Sequence, residues 1–114
     1  MRGSLGVVAP ALVRLARRAA DDDFEPLLFT EVSGADALAL STATATAAPG
    51  ISTGTGIVAL GSRSPASLAM AARTIAELSG VPYLLGVGVS TRQIIEDWHG
   101  EPYEPSLRGL DIRA

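Results

Sequence analysis

Four polar residues with the capacity for chemistry follow the ends of apolar runs in the sequence. They are Glu31, Ser62, Ser90 and Thr91. A carboxylate that faces a cavity can take part in proton transfer, and hydroxyl and N–H groups at the start of a helix suit an anion. A carboxylate in the place of Glu31 can also cap a helix or pair with an arginine. From the sequence, the chemical and the structural explanation of Glu31 both stay open.

Glycines interrupt the two most apolar runs, at positions where a buried strand would otherwise carry side chains. They are Gly54 and Gly56 in the run 51–60, and Gly86 and Gly88 in the run 83–89. Glycine inside a strand often marks a bulge or a close approach of the backbone to a ligand. Tight packing around the axis of a barrel explains the same pattern, so the glycines alone do not separate the two.

Composition and charge argue against several kinds of site. The chain has 114 residues and no cysteine, which removes disulfides, thiolate metal sites and a cysteine nucleophile. Its net charge is −3 without a basic run, so we expect no nucleic acid partner. The carboxylates of the acidic run 21–23 point in different directions, which favours a solvated turn, and we predict no metal site. The single histidine, His99, has no acid at useful spacing and is interpreted as structural.

Apolar periodicity predicts strands and helices in alternation along the chain. The predicted strands are 5–9, 24–30, 51–60 and 83–89. The first predicted helix runs from Ala11 to the acidic run, with Pro10 in its first turn, and further helices follow at 37–47, 66–78 and 91–98, with another beginning in 106–114. A strand, a helix and a strand with short connections form a βαβ unit, whose strands are parallel. The glycine-containing strands lack polar alternation, which is typical of a sheet covered on both faces.

This order of elements predicts a single α/β domain over 1–114, either doubly wound or part of a (β/α)8 barrel. A complete barrel of this kind needs roughly 250 residues, about twice the present length. In both folds ligands bind at the carboxyl ends of the strands, where the stretch 53–57 joins the four polar residues. No apolar stretch reaches the roughly 18 residues of a spanning helix, and the N-terminus lacks a signal-peptide pattern. We therefore expect a cytoplasmic protein without a membrane partner.

Six short sequence words stand in a fixed order between Leu12 and Leu110. They are FTE at 29–31, GTGIVAL at 54–60, RSP at 63–65, LSG at 78–80, LGVGVS at 85–90 and WHGEPYEP at 98–105. In this order and spacing they resemble the N-terminal half of the bacterial luciferase-like monooxygenase family, whose members are flavin-dependent or F(420)-dependent oxidoreductases. The ending DWHGEPYEP at 97–105 is most similar to the actinobacterial branch that uses coenzyme F(420), a deazaflavin, instead of FMN.

The resemblance implies a fold, a coenzyme and a set of site residues. The fold would be the N-terminal half of a (β/α)8 barrel with about four βα units, and FMN or F(420) would bind at its C-terminal mouth. The reaction would be hydride transfer or monooxygenation of a small organic substrate, with Glu31 as the catalytic residue. The implied coenzyme-binding residues are Thr55, Gly56, Ile57, Gly88, Ser90 and Thr91. The family often has a non-prolyl cis peptide bond behind the coenzyme ring, at the place of Gly56–Ile57.

Two departures from the family pattern support a second hypothesis. Val32 occupies the place where several deazaflavin-dependent relatives carry a histidine, and the second half of the barrel is not covered. A half-barrel exposes two apolar sheet edges, so we expect a homodimer or pairing with a complementing C-terminal half. The alternative function is a catalytically inert half-barrel that acts as an assembly or interaction module, or a truncated gene product. A doubly wound nucleotide-binding domain is disfavoured, because the GVGVS loop lacks the third glycine of the dinucleotide fingerprint.

Overall fold

Helices and parallel strands alternate along the described part of the chain. The structure, a computed structural model, describes the backbone of residues 2–103 and the side chains of residues 9–103. Its elements are α1 (Arg2–Asp21), β1 (Leu27–Phe29), α2 (Ala37–Ala47), β2 (Thr53–Ala59), α3 (Pro65–Ser79), β3 (Leu84–Gly88) and a short π-helix (Gln93–Trp98). The helix predicted within 106–114 lies outside the described residues. None of the described helices is both long enough and apolar enough to cross a membrane.

The three strands form one parallel sheet in the order β1-β2-β3. Because α2 connects β1 to β2 and α3 connects β2 to β3, both crossovers are βαβ units, as predicted. The register between β2 and β3 shifts between Thr55 and Val58. Inside this shift the Gly56–Ile57 peptide bond is cis, as the resemblance implied, and a second cis bond, Glu25–Pro26, precedes β1.

The core lies between the sheet and one layer of helices, α2 and α3. Leu68 and Ile75 of α3 meet Val58 of β2 there, and each of these side chains is at most 1% exposed. α2 contributes the small residues Ala37 and Ala45, which allow its backbone to approach the sheet. Burial of a large aliphatic side chain stabilises a fold by roughly 1.5–3 kcal/mol. This layer therefore fixes the strands whose ends carry the predicted site.

The other face of the sheet is open in the described part of the chain. Leu28, Ile57 and Leu84 lie on this face with exposed fractions of 54%, 38% and 45%. The strand glycines lie on it too, since a Cβ at Gly56 would contact Leu28 and one at Gly88 would contact Ile57. The strands lack polar alternation because one face packs on helices and the other is built from glycine and aliphatic residues. The sequence predicts that both faces of the sheet are covered, and the described residues cover one of them.

The predicted α/β class with a parallel sheet is confirmed, but the predicted first strand is wrong. Residues 5–9 belong to α1, which begins at Arg2, and Pro10 lies inside this helix instead of in its first turn. Apolar residues at positions 5, 8, 12, 16 and 19 continue at helical spacing through the proline, and this periodicity determines the element. The described sheet consequently has three strands, one fewer than four βα units require.

The ends of the other elements follow local signals. α2 keeps its predicted bounds, and Asp36 is its N-cap residue. α3 begins after the N-cap Ser64 with Pro65 in its first turn, and it ends at Gly80, whose φ of 79° lies in the left-handed region. β1 is shorter than the predicted 24–30, and the helix predicted over 91–98 is a π-helix of six residues. The loops after β1 and β3 are therefore longer than the sequence predicts.

Candidate functional site

The predicted site lies where the three parallel strands end. β1 leads to Glu31, β2 leads to the loop 60–64, and β3 leads to Ser90 and Thr91. Because the strands share one direction, these three segments lie at one end of the sheet, hereafter the mouth. A depression of about 520 Å³ opens there. Its lining residues are Leu60, Gly61, Ser62, Arg63, Ser64, Glu101 and Pro102.

Glu31 is bound through both carboxylate oxygens. Its Oε1 accepts a hydrogen bond from Arg63 Nη1 at 2.8 Å, and its Oε2 accepts one from Arg63 Nη2 at 3.0 Å. Oε2 also accepts the backbone N–H of Ala37, the first residue of α2, at 2.8 Å. The side chains of Glu31 and Arg63 are only 14% and 18% exposed. Glu31 therefore caps a helix and pairs with an arginine at once.

Asp36 binds the same guanidinium. Its Oδ2 accepts a hydrogen bond from Arg63 Nη2 at 2.8 Å, and its Oδ1 accepts the N–H of Ala39 at 3.0 Å. Partial burial acts to raise the pKa of Asp36, but hydrogen bonds from Ala39 and Arg63 outweigh it and lower this pKa below its ordinary value. The hydrogen bond to Glu31 raises the pKa of Arg63 against the effect of desolvation. Glu31, Asp36 and Arg63 together are called the Arg63 clamp below.

The sequence does not reveal the Arg63 clamp. Arg63 stands 32 residues after Glu31, and both residues lie in loops, where no periodicity connects them. The RSP word includes Arg63, but the resemblance assigns it no role. The usable signal is topological, because an acid after one strand and an arginine after the neighbouring parallel strand are brought to the same end of the sheet.

Thr55 uses its side chain inside the sheet. It is 2% exposed, and its Oγ1 donates a hydrogen bond to the carbonyl oxygen of Gly86 at 2.7 Å. Thr55 Oγ1 also accepts a hydrogen bond from the N–H of Gly86 at 2.9 Å. These bonds lie at the register shift between β2 and β3. The coenzyme contact of Thr55 stays a prediction, and its hydroxyl already has two partners in β3.

The two predicted glycines differ in the space beside them. A Cβ at Gly88 would lie 2.7 Å from Cδ1 at the end of the Ile57 side chain, so a side chain there requires Ile57 to move. A Cβ at Gly56 would lie 3.4 Å from Cβ of Leu28, which is an ordinary contact distance. Packing therefore does not require glycine at position 56. The space beside Gly56 belongs to the open face on which Ile57 is exposed.

Ser90 and Thr91 lie in a bent loop after β3. Ser90 has a φ of 61°, in the left-handed region that few residues other than glycine adopt. Its carbonyl oxygen accepts the hydroxyl of Tyr103 at 3.2 Å, and Arg92 stands 5.2 Å from the centre of the Tyr103 ring. Thr91 Oγ1 accepts the N–H of Ile94 at 3.4 Å. Tyr103, which follows the π-helix, thus supports the conformation of this loop.

The remaining candidates serve the loops or face solvent. Ser62 Oγ donates a hydrogen bond to the carbonyl oxygen of Ala59 at 2.6 Å and lies 3.3 Å from Arg63 Nη1. Val32, in the place of the histidine of several relatives, is exposed, and so is His99. In the described part of the chain, no group of three or more histidine, cysteine, aspartate or glutamate residues could hold a metal ion. The mouth thus combines the Arg63 clamp, the open face and the loop after β3.

Comparison with known proteins agrees with the fold and with the resemblance. The chain matches the luciferase-like monooxygenase family over residues 2–111. A Mycobacterium tuberculosis protein, named as a coenzyme F(420)-dependent oxidoreductase, is 33% identical over 93 residues. This match covers 82% of the chain and 27% of that relative, so the chain spans well under half of the relative's length. The predicted family is confirmed: the chain belongs to the luciferase-like monooxygenases and folds as part of their (β/α)8 barrel.

Proposed function

We propose that the chain is the coenzyme-binding part of a luciferase-like oxidoreductase that uses a flavin-type coenzyme. The observation that carries this proposal is the open face of glycine and aliphatic residues, on strands that end at the mouth. The name of the Mycobacterium tuberculosis relative and the DWHGEPYEP ending favour F(420) over FMN. The reaction would be hydride transfer, or monooxygenation if the coenzyme is FMN, on a small organic substrate.

The residues of the open face suit a planar, partly apolar ring. Ligand sites are mostly apolar surfaces with a few placed polar groups. Leu28 and Ile57 supply apolar contact, and Gly56 leaves space for a ring to approach the backbone of β2. Hydroxyl groups of Ser90 and Thr91 stand at the same end of the sheet. The chemistry of this surface therefore fits a flavin or a deazaflavin.

The residues of the chain have separate tasks in this proposal. A bound flavin or deazaflavin supplies a two-electron hydride acceptor or donor. Leu28 and Ile57 exclude water from one side of the ring, and Ser90 and Thr91 offer polar groups to the rest of the coenzyme. Glu31 keeps its proposed catalytic place at the mouth, where its carboxylate accepts three hydrogen bonds. Proton transfer through Glu31 would require one of these bonds to open.

A coenzyme titration tests the proposal. The purified chain is titrated with F(420) and, in a separate experiment, with FMN, while the fluorescence of the coenzyme is followed. We expect saturable binding of both coenzymes, with F(420) bound more tightly. A folded sample that binds neither coenzyme would overturn the proposed function.

A second candidate function is favoured by the exposure of Leu28, Ile57 and Leu84 on the open face. Parallel sheets are almost always covered on both faces. We propose that a second copy of the chain, or a complementing C-terminal half, covers this face. In this alternative the chain is an assembly module without catalysis of its own. A folded chain that associates but binds neither coenzyme would favour the alternative over the first function.

A further inference from the structure

We propose that Arg63 is a positioning residue of the mouth, which holds the loop after β1 and the loop after β2 in one arrangement. This role rests on the proposed function, because the arrangement that Arg63 holds is that of the coenzyme site. Nothing in the sequence words assigns Arg63 a task, and the resemblance places only Glu31 at this point. The role is inferred from the geometry of the guanidinium and its neighbours.

The guanidinium of Arg63 connects two separate segments through three hydrogen bonds to carboxylates. Nη1 donates to Oε1 of Glu31 at 2.8 Å, while Nη2 donates to Oε2 of Glu31 at 3.0 Å and to Oδ2 of Asp36 at 2.8 Å. A planar guanidinium can make this parallel pair and a further bond in one plane. A lysine ammonium is a point charge without that fork, so Lys at position 63 would preserve the charge and lose the geometry.

The clamp also sets the start of α2. Glu31 accepts the N–H of Ala37, and Asp36 accepts the N–H of Ala39, so two free donors of the first helical turn are satisfied by residues that Arg63 holds. If Arg63 no longer binds these carboxylates, both caps lose a fixed position. The effect of Arg63 therefore extends from the loop into the helix that packs on the sheet.

The loop that carries Arg63 touches the third segment of the mouth as well. A Cβ at Gly61 would lie 2.9 Å from Cγ2 of Ile95, so the backbone of the loop after β2 lies against the π-helix. Ile95 is 2% exposed. Through Arg63 on one side and Gly61 on the other, the loop after β2 connects the segments that follow all three strands. A shift of this loop would thus change the whole mouth.

The electrostatics indicate that this pair contributes more to arrangement than to stability. Glu31 and Arg63 are both mostly removed from water, and desolvation of paired charges offsets much of their attraction. Lysine at position 63 keeps a cation beside both carboxylates and leaves neither as an unpaired charge, so its main effect should fall on the geometry of the mouth and a smaller one on the free energy of unfolding. This difference separates a positioning residue from one that only supports the fold.

Arg63→Lys, compared with Arg73→Lys, tests the proposal. Arg73 is a matched control, because it pairs with Glu77 at 3.0 Å on the exposed side of α3 and has no part in the Arg63 clamp. We expect Arg63→Lys to raise the dissociation constant of the coenzyme by about tenfold and to shift its bound emission, with a small change in melting temperature. Arg73→Lys should leave all three values unchanged. Wild-type affinity and emission in a folded Arg63→Lys chain would overturn the positioning role.

Hydrogen exchange at single amides gives a test that needs no coenzyme. Arg63→Lys should speed exchange at Ala37 and Ala39, whose donors depend on the clamp, and leave exchange at Ser67 unchanged, because Ser64 caps it. Unchanged protection at Ala37 and Ala39 would contradict the proposal. If the wild type binds neither coenzyme, the proposed function fails alone, and this exchange pattern still decides whether Arg63 holds the two loops.

Discussion

The glycines of β2 and β3 are present for different physical reasons. A Cβ at Gly86 would overlap the carbonyl oxygen of Thr55, so no side chain fits between the strands there. A Cβ at Gly56 would meet only Leu28 at ordinary contact distances. Glycine at position 86 is thus explained by the fold, whereas glycine at position 56 is explained by the open space in front of the sheet. A pair of alanine substitutions can separate the two explanations.

Gly86→Ala should mainly lower the stability of the fold, whereas Gly56→Ala should mainly weaken coenzyme binding. We expect Gly86→Ala to lower the free energy of unfolding by roughly 1–3 kcal/mol or more, because backbone atoms must move to admit the methyl group. Gly56→Ala should change stability by less than about 1 kcal/mol and weaken coenzyme binding. Chemical denaturation and fluorescence titration measure the two effects. Wild-type coenzyme affinity in Gly56→Ala would remove Gly56 from the site.

Among the elements, α2 shows how much of the site depends on one helix terminus. Its first turn donates one backbone hydrogen bond to Glu31 and another to Asp36. Negative charge is favoured at this end of a helix. The same two carboxylates hold Arg63, so capping and the clamp depend on the same ionised groups. Protonation of Asp36 should therefore weaken its helix cap and its bond to Arg63 together.

Asp36→Asn tests this dependence on pH. The pKa of Asp36 is lower in the folded chain than its ordinary 3.8, so the ionised side chain stabilises the fold above that pH. This contribution is lost as the pH falls through the lower, folded pKa. Asparagine keeps a capping oxygen and removes the charge.

Unfolding free energies of the wild type and Asp36→Asn should be compared between about pH 5 and about pH 2. We expect a steeper loss in the wild type, by less than about 1 kcal/mol because the Asp36 side chain is more than half exposed to solvent. Parallel curves for the two proteins would show that Asp36 does not contribute in this way.

Most elements could be predicted from apolar spacing and cap residues, whereas the first half of α1 could not. The bounds of α2 and the parallel βαβ unit follow from apolar spacing and from cap residues such as Asp36. Proline is typical of the first turn of a helix, so Pro10 predicts a helix start and leaves 5–9 as a strand, although Pro10 lies within α1. A proline in a helix is disfavoured by its own chemistry, and only the long apolar spacing of α1 overrides that preference.

The candidate site was predictable in part for a similar reason. Glu31 follows a strand, and strand ends in parallel sheets carry ligand sites, so its place at the mouth could be predicted. The partner of Glu31 could not, because Arg63 is brought close only by the parallel packing of β1 on β2. The two bonds of the Thr55 hydroxyl depend on a register shift, which has no sequence pattern of its own.

At the scale of the whole molecule, the described structure is a two-layer plate. Its principal extents are 40 × 37 × 20 Å, and the shortest corresponds to a sheet with one layer of helices. Leu28, Ile57 and Leu84 lie on the side without that layer. Exposed aliphatic residues on a sheet favour association with another protein surface. The mass of the chain in solution should report this.

Leu84→Glu should reduce self-association. A carboxylate in the middle of an apolar contact would have to be buried without a partner, which is strongly unfavourable. Met70→Glu is the control, because Met70 is exposed on α3, on the helical side of the plate. Light scattering on both variants and the wild type measures the mass. A wild-type chain that is monomeric at all concentrations would contradict self-association through the open face.

The hydroxyl group of Thr55 donates a hydrogen bond to the carbonyl oxygen of Gly86 and accepts one from its N–H. Elsewhere in the sheet, backbone N–H and C=O groups pair directly and need no side-chain hydroxyl group. At the register shift, however, the hydroxyl group of Thr55 makes the hydrogen bonds to Gly86. Valine has the shape of threonine and would leave both groups of Gly86 without that partner. Position 55 is thus a point where one side chain supplies hydrogen bonds between two strands that pair through their backbones on either side of the shift.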